Sequence, residues 1–136
     1  MSKIHTARKL IIQLIFQKES SNEKWETIIE HYINKRKSDE EMKKWAIKTA
    51  KDLFDKKEIC DKKINTYAIE WELNRISKVD LAILRLAIYE LLFTKTPYTI
   101  IANEAIELSK VFSTEEAPAF INGIIGQFIE KECLQD

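Results

Sequence analysis

The stretch VDLAILRLAIYELLFT, Val79 to Thr94, decides the fold. Leu81, Ala82, Ile83, Leu84, Leu86, Ala87, Ile88, Leu91 and Leu92 spread apolar side chains around every side of a helix, leaving no continuous polar stripe. A helix of that kind is one that others surround, so the stretch predicts a central helix opened by Ser77. Arg85 and Glu90 interrupt it. A lone buried charge is costly, so Arg85 is expected to meet an acid from another helix, with Glu104 and Glu107 as candidates. The run is also too short to span a bilayer.

Working outward, the flanking segments carry one-sided helical patterns. Ala7, Leu10, Ile11, Leu14 and Ile15 predict a first helix over Ile4 to Glu19. Asn22 is placed as the cap of a second helix reaching Lys35, with Trp25, Ile28, Ile29 and Tyr32 inward. Ser38, with Glu41 at the capping-box position, opens a third that buries Met42, Trp45, Ala46, Thr49 and Leu53 and carries lysines opposite. A fourth runs from Ile59 to Glu72 through Ile64, Tyr67, Ala68 and Trp71. Thr96-Pro97 starts the sixth, where a proline without an N–H is tolerated. The seventh begins between Ser113 and Pro118 and runs to Cys133.

Composition agrees. The 136 residues are 45% hydrophobic, enough for one core and one domain over 1–136. Gly and Pro number two each, too few for a fold that turns every few residues. The expected fold class is therefore all-α, a compact domain of about seven helices around the helix over 79–94. Lys+Arg and Asp+Glu balance at 22 each, but unevenly: residues 1–18 hold Lys3, Arg8, Lys9 and Lys18 with no acid. Residues 98–136 set Lys110 and Lys131 against seven acids. A basic N-terminal arm is a possible electrostatic footprint for phosphate. Two cysteines, Cys60 and Cys133, with no signal peptide ahead of them, fit a reducing, cytoplasmic setting and no membrane.

Catalytic chemistry finds nothing to build on. His5, His31 and the two cysteines do not cluster at metal-ligand spacing, so no metal or cofactor is expected. Gly123 and Gly126 fall inside the last helix instead of a phosphate-cradling loop; Gly123 is read as allowing close helix packing. Glu104 and Glu107, one turn apart, read as an acidic helix face. The chain is expected not to be an enzyme.

Four pieces in order resemble the NusB family: W-x-L-x-R at Trp71, Leu73 and Arg75, ILRLAIYEL at Ile83 to Leu91, NEAIELSK at Asn103 to Lys110, and FING at Phe120 to Gly123. ARKLIIQLIFQ, Ala7 to Gln17, adds a weaker match. The resemblance implies a seven-helix fold and transcription antitermination. It implies binding of the boxA element of ribosomal RNA transcripts together with the ribosomal protein NusE, in an antitermination complex with RNA polymerase. The chain departs from the family in its N-terminal arm, poor in arginine, in Ala102, where a larger aliphatic is common, and in Ala119, where some relatives have a basic residue. Other readings are a helical protein-interaction module without RNA binding, or a stand-alone relative of the NusB-like domain of ribosomal RNA cytosine methyltransferases.

The candidate RNA-binding residues are Lys3, Arg8, Lys9, Phe16, Phe120 and Asn122. The three cations would meet phosphate near a helix N-terminus, or simply be solvated there. Phe16 and Phe120 would stack on unpaired bases or pack in the core. Asn122 would read a base edge or cap a helix end. Asp80, at the start of the central helix, lies on the side where the resemblance implies contact with the ribosomal partner; its alternative role is to stabilise that helix's N-terminus.

Overall fold

A computed structural model describes residues 3–37, 39–68 and 75–134 and resolves them into two compact units, one up to Asp55 and one from Lys56. The described residues form seven α-helices and no strand. Trp71 and Leu73 of the W-x-L-x-R piece, and Ser38, lie outside the described residues.

In the first unit, α1 (Lys3–Ser21) packs on α3 (Glu40–Asp55), with α2 (Trp25–Ile29) against α1. Ala7, Leu10, Ile11, Leu14 and Ile15 are all buried, as their spacing requires. Asn22 does not cap the second helix. It takes φ 55°, donates its N–H to the Lys18 carbonyl at 3.1 Å, and so closes α1 in the left-handed conformation that asparagine tolerates. α2 runs on into a π-helical turn, Glu30–Asn34. That wider turn buries Ile28 and Ile33, five residues apart, where a pure α-helical period points inward through Tyr32.

The cap of α3 is Asp39, whose Oδ1 accepts the Met42 N–H at 3.0 Å. The buried stripe of α3 is Met42, Ala46, Thr49, Ala50 and Leu53, together with Lys43, whose ammonium donates to the Arg36 carbonyl. This stripe is rotated away from Trp45, which stays 37% exposed instead of packing inward.

In the second unit α5 (Lys78–Phe93) packs against α4 (Lys57–Tyr67), α6 (Tyr98–Phe112) and α7 (Ala117–Phe128). Every residue from Asp80 to Glu90 is buried, which is the central helix expected from the sequence. Ser77 opens it, its Oγ accepting the Asp80 N–H at 3.1 Å. Arg85 pairs with Asp61 on α4, an acid that the sequence reading did not name: Nε and Nη2 donate to the two carboxylate oxygens at 2.7 and 2.8 Å. This bidentate fork is the geometry that makes a buried guanidinium tolerable. Next to it the buried Cys60 thiol is pushed up to about 12, by burial first and the Asp61 carboxylate second.

Pro97 is the residue before the first turn of α6, and Thr96 gives no side-chain cap there. α7 ends in a π-helical turn, Ile129–Cys133, held to α4 where Lys63 and the Tyr67 hydroxyl donate to Glu132 at 2.7 and 2.5 Å. A Cβ added at Gly123 would meet nothing within 4 Å, so that glycine does not serve close packing.

Candidate nucleic-acid interface

The start of α5 and the start of α7 face a shared hollow, and local chemistry puts them there. Ser77 turns the chain into α5 and leaves Asp80 in its first turn. Ser113, the residue that ends α6, donates its hydroxyl to Asp80 Oδ1 at 2.6 Å. That bond ties the short connection between α6 and α7 to the head of α5. The connection then turns: the Ala117 N–H reaches the Thr114 carbonyl, and the Phe120 N–H reaches the Glu116 carbonyl. Pro118 sits in the first turn of α7, where its missing N–H is no loss.

The result is a pocket of about 260 Å³ lined by Arg75, Ser77, Asp80, Thr114, Glu116 and Phe120, together with the buried Ile76 and Ala117. Phe120 is half-buried, neither sealed in the core nor free on the surface. Asp80 is buried and held by two hydrogen-bonding partners, Ser77 through its amide and Ser113 through its carboxylate. It sits in the first turn of α5 and it lines the pocket. Asn122, two residues beyond Phe120 on α7, is exposed.

The remaining candidates lie on α1. Lys3 opens that helix, and its side chain is outside the description. Lys9 and Phe16 are half-buried. Arg8 is only 4% exposed, and both Arg8 and Lys9 already interact with other residues of the chain. The first turn of α1 contains no acid. Among the described residues no group of three or more His, Cys, Asp or Glu is placed to hold a metal ion.

Two residues of the pocket escape a reading of the sequence. Ser113 carries no signal beyond its position at a helix boundary. Arg75 is visible only as the last letter of W-x-L-x-R, and nothing in spacing says that it shares a hollow with Phe120.

The NusB family model matches residues 5–130. The chain belongs to the NusB family. The NusB transcription antitermination protein of Thermoanaerobacter sp. (strain X514) is 38% identical over 130 residues, covering 96% of this chain and 92% of that protein. Among solved structures, NusB of T. maritima is 34% identical, with a TM-score of 0.85 over 97% of this chain and 92% of that one. A structure of the antitermination factors NusB and NusE in complex with double-stranded RNA shares the fold, with a TM-score of 0.83 over 96% of this chain and 99% of that chain at 19% identity. No described helix is long and apolar enough to cross a membrane.

Proposed function

We propose that this chain is a transcription antitermination factor that binds boxA-type single-stranded RNA of ribosomal RNA transcripts together with NusE. It acts by binding and not by catalysis, as one domain over 1–136, in the cytoplasm, within the antitermination complex on RNA polymerase. The observation that carries this reading is the pocket at the heads of α5 and α7. Asp80, assigned to the protein partner, and Phe120, assigned to a base, line the same hollow. One pocket edge for protein and one for RNA is what a jointly formed binding surface requires.

The relatives named for transcription antitermination, and the NusE-bound relative, support the partner assignment. On α1, Lys3, Arg8 and Lys9 are assigned to RNA phosphates, Arg8 being only 4% exposed. Phe16 and Asn122 complete the set of RNA contacts. A protein-interaction module without RNA binding is the second reading, favoured by one observation: the engaged, buried Arg8 leaves the N-terminal arm thin in available charge.

A shift assay with a boxA-type oligonucleotide, with and without NusE, separates the two. The proposal expects weak binding alone and at least several-fold tighter binding with NusE, because linking two modest binders raises affinity without new chemistry. Phe120→Ala is expected to weaken RNA binding by about 1–3 kcal/mol in the presence of NusE. Asp80→Asn keeps the site's shape while removing its charge, and is expected to reduce the gain that NusE brings. RNA affinity absent in every combination would establish the interaction module instead.

A further inference from the structure

An RNA strand that brings a base to Phe120 also brings phosphates past two carboxylates, Asp80 and Glu116, which line the same pocket. Like charge opposes that approach, and a half-buried setting screens it less than bulk water does. Among the described residues lining the pocket, one cation faces them: Arg75, immediately ahead of the turn into α5. Arg75 is exposed and forms no hydrogen bond or ion pair with a described residue. Its situation is the opposite of Arg8, which is buried and engaged, and of Arg85, which is locked to Asp61.

The geometry points to Arg75 as an RNA-binding residue that makes the Phe120 pocket a site for one unstacked nucleotide, an inference that rests on the RNA-binding reading above. The pocket's volume of about 260 Å³ suits this. It lies just below the roughly 300–1,000 Å³ of pockets that enclose whole drug-sized ligands, so it takes a fragment the size of a base. The Phe120 ring supplies a face for stacking, and a guanidinium supplies either a second plane for the base or a fork for its phosphate. Arg75 thereby places at the pocket a charge that the arginine-poor arm of α1 does not provide. Asp80 Oδ1 accepts from Ser113, and no ion pair joins its carboxylate to Arg75 among the described residues.

The test uses the full chain with NusE and a fluorescent boxA-type single-stranded RNA, comparing wild type, Arg75→Ala, Arg75→Lys, Phe120→Ala and the double variant. Thermal melts confirm that each variant is folded. Arg75→Ala is expected to weaken binding about tenfold and to reduce the log-log salt slope by roughly 0.7, the value for one phosphate contact on a single strand. The two losses are expected to overlap: Phe120→Ala, costly in the wild type, loses most of its effect once Arg75 is gone. Arg75→Lys should restore the slope and only part of the affinity. Replacing one nucleotide of the RNA by an abasic residue should reproduce the Phe120→Ala loss in the wild type at a single position. Fully additive losses with an unchanged salt slope would overturn the inference while leaving RNA binding itself in place. A weaker grip on NusE in the absence of RNA, with RNA affinity per complex unchanged, would make Arg75 a protein contact and overturn it as well. Wild-type protein that fails to bind RNA even with NusE would overturn both this inference and the reading beneath it.

Discussion

Arg85 illustrates how one charged residue is carried in an apolar helix. Its side chain is 6% exposed, and both of its bonds to Asp61 are short and parallel. Removing Asp61 leaves the guanidinium buried without that partner, whereas replacing the arginine by a side chain of similar length leaves only the Asp61 carboxylate, which is 19% exposed and closer to water. Asp61→Ala is therefore expected to cost about 3 kcal/mol, and Arg85→Met distinctly less, in urea denaturation. Equal costs would mean that packing and not charge sets the value of the pair. At Gly123 the expectation has the opposite sign: the site is exposed, helical and open around a Cβ, so Gly123→Ala should stabilise by about 0.5–1 kcal/mol in thermal melts. A loss of stability there would reveal a neighbour that the fold brings close. The sequence showed that Arg85 needs a partner, because the cost of burying it is local to α5. Which acid provides it depends on how α4 lies on α5, and no spacing within one helix encodes that.

Among the elements, α5 was the most legible because its pattern leaves only one environment that satisfies it. α2 was less so: a π-helical turn changes the period in mid-helix, and Ile33 moves inward without any local mark in composition. The end of α1 was read one element too late, since asparagine serves equally well as an N-cap and as the left-handed residue that closes a helix. The C-terminal π-helical turn is held by side chains that a helical pattern does not reveal, and they make its attachment pH-dependent. The hydrogen bond to Glu132 pushes the Tyr67 phenol up to about 12, with burial adding to it. Burial raises the Glu132 carboxyl, but hydrogen bonds from Lys63 and Tyr67 together outweigh it and hold the group below its usual range. A phenol raised on folding stabilises the folded state at all pH below the unfolded value of 10, and that contribution disappears as pH climbs towards about 12. The depressed carboxylate stabilises above its ordinary value of 4.5 and loses that contribution as pH falls through the lowered one. In an ultraviolet absorbance titration read as the difference from Tyr67→Phe, Tyr67 is therefore expected to ionise at about 12, and Glu132→Gln should lower that value. A Tyr67 that Glu132→Gln leaves unmoved would contradict the clamp.

For the whole molecule, the all-α class and the family were readable from the chain, and the pocket was readable only in halves. Phe120 stands in the FING piece and Asp80 at the head of α5, but their meeting depends on the Ser113–Asp80 bond across a connection whose course the sequence does not state. That meeting is what gives the functional account its central claim, that protein partner and RNA share one surface. Two ligands on one surface must be coupled, and the coupling is reciprocal: NusE tightens RNA by the same factor by which RNA tightens NusE. The most direct measurement is a closed binding cycle. Labelled boxA-type RNA is titrated with the protein in the absence and the presence of saturating NusE, and labelled NusE in the absence and the presence of saturating RNA. The account predicts the same factor of at least several-fold on both arms, reduced together by Phe120→Ala and Asp80→Asn. Equal RNA affinity with and without NusE would contradict it.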